Sequence, residues 1–75
     1  MSYGYSARVV KENLKASGKL AGVKLGRACI KKDIPVATVA RIYNVSRQTV
    51  YNWFTGTSSP SERNAVRIQQ YLSSI

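Results

Sequence analysis

Residues 36–55 read VATVARIYNVSRQTVYNWFT, and this stretch predicts two short helices joined by a tight turn. Apolar residues recur at helical spacing before Asn44 and again after Ser46. Asn tolerates the left-handed backbone that a sharp turn needs, and a Ser hydroxyl can accept a hydrogen bond from a free N–H at the start of a helix. We therefore predict helices over 36–43 and 47–54, in the arrangement of a helix-turn-helix.

One side of helix 47–54 is expected to pack against the rest of the protein, and the other side is expected to face a binding partner. Val50 and Trp53 lie on the inner side, and Ala40 must be small because the two helices cross there. The outward side is polar and consists of Arg47, Gln48, Thr49, Tyr51, Asn52 and Thr55. Arg can pair with guanine through two hydrogen bonds, as can Gln or Asn with adenine. The pattern therefore predicts that helix 47–54 enters the major groove of double-stranded DNA and reads its sequence.

Three further helices are predicted around this motif. Ser6 can cap a helix over 7–16, after a flexible arm at residues 1–5 that includes Tyr5. Its apolar side would be Val9, Val10 and Leu14. A helix over 19–32 carries an apolar stripe formed by Ala21, Leu25, Ala28 and Cys29. Gly22 and Gly26 lower helix propensity within it, which indicates that another helix packs closely there.

The chain after the motif completes an all-α fold. Gly56 suits the end of the fourth helix, and Ser59-Pro60-Ser61-Glu62 matches a capping box for a last helix over 60–73. The inward side of that helix would be Ala65, Ile68 and Leu72, with Tyr71 beside them. We predict a compact bundle of four to five short helices, with residues 1–17 as an N-terminal arm or short extra helix and residues 18–75 as the helix-turn-helix domain.

The charge of the chain predicts a polyanionic partner. It has 75 residues, 12 of them Lys or Arg and 3 of them Asp or Glu, which gives a net charge of +9. Nucleic acid is the first candidate and an anionic membrane surface the second. No signal peptide and no membrane-spanning run is visible, so a location in the cytoplasm of a bacterial host cell is expected. Lys24, Arg27 and Lys31 share one side of helix 19–32, which favours contact with the DNA backbone.

The composition argues against catalysis and against bound cofactors. The chain has no histidine, a single cysteine and three scattered acids. Neither a metal site by the usual ligand counts nor an acid–base or nucleophilic constellation can be assembled from these residues. Cys29 is expected to be a small buried apolar residue. We expect no enzyme activity, no cofactor, no metal and no small-molecule ligand.

The segment from about Leu20 to Leu72 resembles the lambda repressor/Cro-like family, also called the xenobiotic-response-element family of helix-turn-helix proteins. The resemblance is carried by Leu25, Val39-Ala40, Val45-Ser46, Thr49-Val50, Trp53, Gly56 and Pro60. The spacing from Trp53 through Gly56 to Pro60 is its most specific part. Family members usually bind DNA as dimers on palindromes, so the resemblance implies a small transcription regulator and a homodimer. The brevity of the chain indicates a bacteriophage or mobile-element origin.

The resemblance also implies roles for single residues. Arg47, Gln48 and Asn52 would contact bases, with Tyr51 as a fourth base reader. Ser46, Thr49 and Thr55 would contact phosphate or sugar, helped by backbone N–H groups. Val36 stands where the family often has a Gln that touches DNA, and Thr38 would replace that contact.

Two other functions stay open at this stage. The same motif would serve a DNA-recognition module for recombination or packaging, of the excisionase or small terminase subunit type. Such folds usually add a β-wing after the recognition helix, whereas residues 57–75 are predicted to be helical. A phage module that captures a host protein is the other alternative. The polar, base-reading groups on helix 47–54 argue against it.

Overall fold

Five α-helices joined by short loops make up residues 5–75, the part of the chain that the computed structural model describes. The helices are α1 (Ala7–Lys15), α2 (Ala21–Lys32), α3 (Val36–Tyr43), α4 (Arg47–Phe54) and α5 (Glu62–Ser74). No strand occurs within residues 5–75. The predicted all-α bundle is confirmed, whereas the expected arm at residues 1–4 lies outside the described residues. None of the five helices is long and apolar enough to cross a membrane.

Local backbone chemistry sets most of the helix ends. Ser6 and Ser46 cap α1 and α4 by accepting hydrogen bonds from the N–H groups three residues later, as predicted. Asn44 adopts the left-handed conformation with φ of 54°. The predicted start of α5 is wrong, because Ser61 and not Ser59 is the capping residue, and it accepts from the N–H of Asn64. Both serines satisfy the local requirement for a cap, so the local pattern could not choose between them.

Helix α2 lies at the centre of the bundle and packs against α1, α4 and α5. Its glycines permit a close approach, as predicted. A Cβ atom on Gly22 would lie 2.8 Å from the carbonyl oxygen of Trp53, and one on Gly26 would lie 2.8 Å from Cγ of Phe54. Phe54 is fully buried although the sequence analysis did not place it in the core. The inner face of α4 therefore packs directly against the backbone of α2.

The N-terminal segment differs from the prediction. Tyr5 is only 6 % exposed, and its hydroxyl donates a hydrogen bond to the carbonyl of Ile34, so its assignment to a flexible arm was wrong. Leu14 is 66 % exposed, whereas Asn13 is 1 % exposed and takes the inward place. A polar residue is stable there because its Nδ2 group donates to the carbonyls of Val23 and Phe54. Helix α1 is thus an integral part of the bundle.

Candidate nucleic-acid interface

A sharp turn between α3 and α4 sets the geometry of the candidate interface. Asn44 ends α3 in the left-handed conformation, and the N–H of Val45 donates to the carbonyl of Ala40 at 3.0 Å. Ser46 then starts α4: its Oγ accepts from the N–H of Thr49 at 3.1 Å. The turn is therefore held by backbone hydrogen bonds and a cap, which fixes the direction in which α4 leaves it.

The inner face of α4 is locked by aromatic and aliphatic packing. Val50 and Phe54 are fully buried, and Trp53 is 4 % exposed. The ring of Trp53 meets that of Tyr43 edge-on, with centroids 5.9 Å apart. Since the same helix also lies against Gly22, a rotation of α4 about its axis would break contacts with both α2 and α3. A rigid helix of this kind can present its opposite side in a fixed register.

The four residues predicted to contact bases lie together on the solvent side of α4. Arg47 and Gln48 are exposed, and Tyr51 and Asn52 are half-exposed. Nε2 of Gln48 donates to Oδ1 of Asn52 at 3.0 Å, one turn further along the helix. This bond leaves Oε1 of Gln48 and the amino group of Asn52 free, so the pair offers both an acceptor and donors outward. Such a combination complements the N6 and N7 groups of adenine.

The hydroxyls predicted to contact the DNA backbone are partly engaged within the protein. Oγ1 of Thr55 donates to the carbonyl of Tyr51 at 2.9 Å, which leaves it no proton for a phosphate oxygen. Oγ of Ser46 accepts from a backbone N–H and lies 2.9 Å from Oγ1 of Thr49, so one proton of this hydroxyl pair is available. Thr38 is half-buried in the first turn of α3. The Ser46–Thr49 pair therefore keeps one hydroxyl proton for a phosphate oxygen, whereas Thr55 keeps none.

Lys24, Arg27 and Lys31 do not join this surface. Gly22 and Gly26 face α4, and the helical repeat places Lys24 and Lys31 about 140–180° away from them around the axis of α2. Both lysines are exposed on that opposite side. The side chain of Arg27 instead turns to the end of α1. The contact of these three cations with the DNA backbone stays a prediction, and the two lysines lie on the side of α2 opposite α4.

The guanidinium of Arg27 satisfies the end of α1. Its Nη2 donates to the carbonyl of Ala16 at 3.0 Å and to the carbonyls of Asn13 and Leu14 at 3.5 Å. A cation is also favourable at the negative end of a helix dipole. Arg67 acts in a comparable way at the end of α3, where it donates to the carbonyl of Ile42 at 2.8 Å.

Two open clefts border α4, and no local sequence pattern predicts either of them. One lies between α4 and the start of α3 and is lined by Tyr5, Asp33, Pro35, Val36, Ala37, Arg47 and Tyr51. The other lies between α4 and α1 and is lined by Arg8, Val9, Glu12, Gln48, Thr55 and Thr57. Residues of α1 therefore lie beside the outward residues of α4. This proximity depends on how α1 packs in the folded protein, which no local sequence pattern determines.

Burial changes the acidity of several groups behind the interface. It raises the pKa of the Cys29 thiol to about 11, so the thiol stays protonated and poorly nucleophilic at neutral pH. Burial also raises the pKa of Tyr43, whose hydroxyl lies in the interior without a hydrogen-bond partner. Within residues 5–75 no group of acidic, Cys or His side chains could hold a metal ion. The outward residues of α4 itself carry one positive charge, on Arg47, and no negative charge.

Comparison with known proteins agrees with this architecture. A helix-turn-helix family profile matches residues 25–74, which include all of α3, α4 and α5. No curated protein and no solved structure gives a significant match to the chain. The matched region covers more than half of the sequence. The chain belongs to the helix-turn-helix family of lambda repressor/Cro-like DNA-binding proteins.

Proposed function

We propose that this protein is a small Cro- or repressor-like transcription regulator that reads duplex DNA with α4. The single observation that carries the proposal is the division of α4 into two sides. Val50, Trp53 and Phe54 fix it to the bundle, while Arg47 and Gln48 are exposed opposite them. A helix fits the major groove, and its outward side chains then meet the base edges.

Affinity and specificity would come from different groups in this proposal. Exposed basic side chains near α4 and the Ser46–Thr49 hydroxyl pair bind phosphates. These contacts set the position of α4 along the DNA without reading its sequence. Arg47, Gln48 and Asn52 contact base edges, and Tyr51 can place its ring against a thymine methyl group. The proposal assigns no DNA contact to Lys24 and Lys31, which lie on the side of α2 opposite α4, or to Arg27, which holds the end of α1. Each two-bond base contact contributes about 1–3 kcal/mol of discrimination against a wrong base pair.

The loop and helix that follow α4 favour this function over a recombination or packaging role. Such modules usually carry a β-wing after the recognition helix. Here the chain leaves α4 through Gly56 and continues into α5 (Glu62–Ser74), and no strand occurs in the described residues after α4. The helical C-terminal segment instead matches the repressor-like arrangement.

Selection of binding sites from random duplexes tests the function. The full chain is expected to enrich one motif, and a palindromic motif would support binding by a homodimer. If no motif were enriched even at low salt, the DNA-reading function would be overturned, and the capture of a partner protein would become the leading account.

Variants of α4 then test the residue assignments. Arg47→Ala and Gln48→Ala should each relax the preference at one base pair of the selected site. Arg63→Ala and Gln70→Ala are the matched controls, because both side chains are exposed on α5. Equal weakening on every DNA sequence would contradict the base-reading roles.

A further inference from the structure

Helix α1 lies outside the matched family region, which begins at residue 25, and its charged residues have no assigned role. Arg8, Lys11, Glu12 and Lys15 are all exposed along it. Unlike Arg27, these side chains do not close a helix end. A role for these side chains in DNA binding requires that α1 is fixed in position relative to α4.

Three side chains fix α1 to the bundle. The Tyr5 hydroxyl binds the carbonyl of Ile34 before α3, and the Tyr5 ring packs near Phe54 with centroids 6.2 Å apart. Asn13 donates to the carbonyl of Phe54 at 2.6 Å. The guanidinium of Arg27 holds the last carbonyls of α1. Tyr5 and Asn13 both contact Phe54, the last residue of α4, so α1 is held against the end of the recognition helix.

The side of α1 nearest the DNA-reading groups is identified by the cleft between the two helices. Arg8 and Glu12 line this cleft together with Gln48 and Thr55, two outward residues of α4. Lys15 lies about 20° from Arg8 around the axis of α1, two turns further along. Arg8 and Lys15 therefore project from the same side of α1, and Arg8 lines the cleft beside α4.

The dimensions of DNA limit what a second helix can do at this place. The major groove is about 12 Å wide and admits one helix, and packed helices lie about 8–10 Å apart. With α4 in the groove, a helix packed beside its outward residues would lie at the edge of the groove, over the phosphates. We propose that α1 is a second DNA-contacting element, in which Arg8 and Lys15 neutralise phosphates of the strand that borders the groove occupied by α4.

This inference rests on the proposed function and adds a phosphate-binding element to it. Deletion of residues 1–17 is an unsuitable test, since it would also remove Tyr5 and Asn13 from the interior. Exposed point substitutions avoid this problem. The test uses the full chain and a duplex of the motif recovered by site selection, with affinity measured across a series of salt concentrations.

The double variant Arg8→Gln/Lys15→Gln should bind more weakly and lower the magnitude of the salt slope by about 2, since each neutralised phosphate contributes about 0.9. The matched control is Lys24→Gln/Lys31→Gln. It removes the same charge from the side of α2 that faces away from α4, and its slope should stay near that of the wild type. Thermal melting followed by circular dichroism checks that both variants remain folded.

A substitution that is expected to strengthen binding distinguishes a loss of DNA contacts from a loss of the fold. Glu12 lines the same cleft, so Glu12→Gln removes a negative charge close to the DNA. Binding should tighten about threefold, as expected for one unit charge about 7 Å from a phosphate in water. A damaged fold cannot produce this gain.

The outcomes separate the two claims. If the wild type binds the selected duplex but the Arg8/Lys15 and Lys24/Lys31 variants have equal slopes and Glu12→Gln has no effect, the role of α1 is overturned and the role of α4 stands. If the wild type selects no motif, the proposed function fails, and this inference fails with it.

Discussion

The side-chain amide of Asn13 donates a 2.6 Å hydrogen bond to the backbone carbonyl of Phe54, the last residue of the recognition helix. The same Nδ2 group donates to the carbonyl of Val23 in α2 at 3.2 Å. Since Asn13 is 1 % exposed, water cannot replace these bonds at little cost. One buried side chain therefore joins α1, α2 and α4, and couples the N-terminal helix to the orientation of the DNA-reading surface.

Asn13→Ala should lower the free energy of unfolding by about 1–3 kcal/mol, because two buried carbonyls lose their donor. Asn13→Asp should cost more, since it would place a carboxylate against both carbonyls. Lys11→Ala, an exposed change on the same helix, is the control and should stay within about 0.5 kcal/mol. Urea denaturation measures all three. Equal stabilities for Asn13→Ala and Lys11→Ala would contradict the role of Asn13.

Two tyrosines should respond oppositely to the loss of the hydroxyl. The Tyr5 hydroxyl donates to the carbonyl of Ile34, so Tyr5→Phe should destabilise by about 1–3 kcal/mol. The Tyr43 hydroxyl is buried without a partner, so Tyr43→Phe should be neutral or stabilising. Thermal and urea unfolding of the two variants provide the comparison. A larger loss for Tyr43→Phe would show that its hydroxyl is satisfied in solution.

Gly22→Ala should destabilise the protein although Ala favours helices more than Gly does. The added Cβ would lie 2.8 Å from both Cβ and the carbonyl oxygen of Trp53, so α4 must shift away from α2. Overpacking of this kind costs about 1–3 kcal/mol. The control is Lys24→Ala on the exposed side of the same helix, which should change the free energy of unfolding by less than about 0.5 kcal/mol. A stabilised Gly22→Ala variant would exclude this close contact.

Stability should fall in alkaline solution partly through Cys29. Burial raises the pKa of this thiol from 9.0 to about 11. Below pH 9 the folded and unfolded states both hold the proton, so the contribution of the thiol is fully present there. Between pH 9 and 11 the unfolded state loses its proton first, and stability falls by at most about 1.4 kcal/mol per pH unit.

Cys29→Ala should remove that part of the alkaline loss. Its free energy of unfolding is expected to decline less steeply than that of the wild type between pH 9 and 10. Tyr43 and the half-buried Tyr71 retain their own contribution above this range, since burial also raises the pKa of both. Parallel profiles for the two proteins would contradict the buried state of the thiol.

The features predicted correctly depend on neighbouring residues alone. A Ser followed by a helical pattern marks a cap at Ser6 and Ser46, and Asn44 suits a left-handed turn whatever surrounds it. The helical spacing of the apolar residues predicted the five helices and most of the buried core. The glycines of α2 also carried a readable signal, because only a close helix contact offsets their low helix propensity.

The features that were missed depend on how helices pack in space. Asn13 is buried because two distant carbonyls need its donors, and Tyr5 because an apolar site near Phe54 accepts its ring. The prediction for Leu14 failed for the same reason: the amide takes the inward place and leaves the leucine 66 % exposed. The direction of Lys24 likewise follows from which side of α2 meets α4. No local pattern determines such relationships.

The central claim, that the outward side of α4 reads sequence, is tested most directly by the specificity of Gln48→Ala. Binding of the wild type, Gln48→Ala and Gln70→Ala should be measured on the selected duplex and on all its single-base-pair variants. The account predicts that Gln48→Ala loses about 1–3 kcal/mol of discrimination at one base pair and keeps it elsewhere, while Gln70→Ala matches the wild type. A Gln48→Ala variant with unchanged discrimination at every base pair would contradict the account.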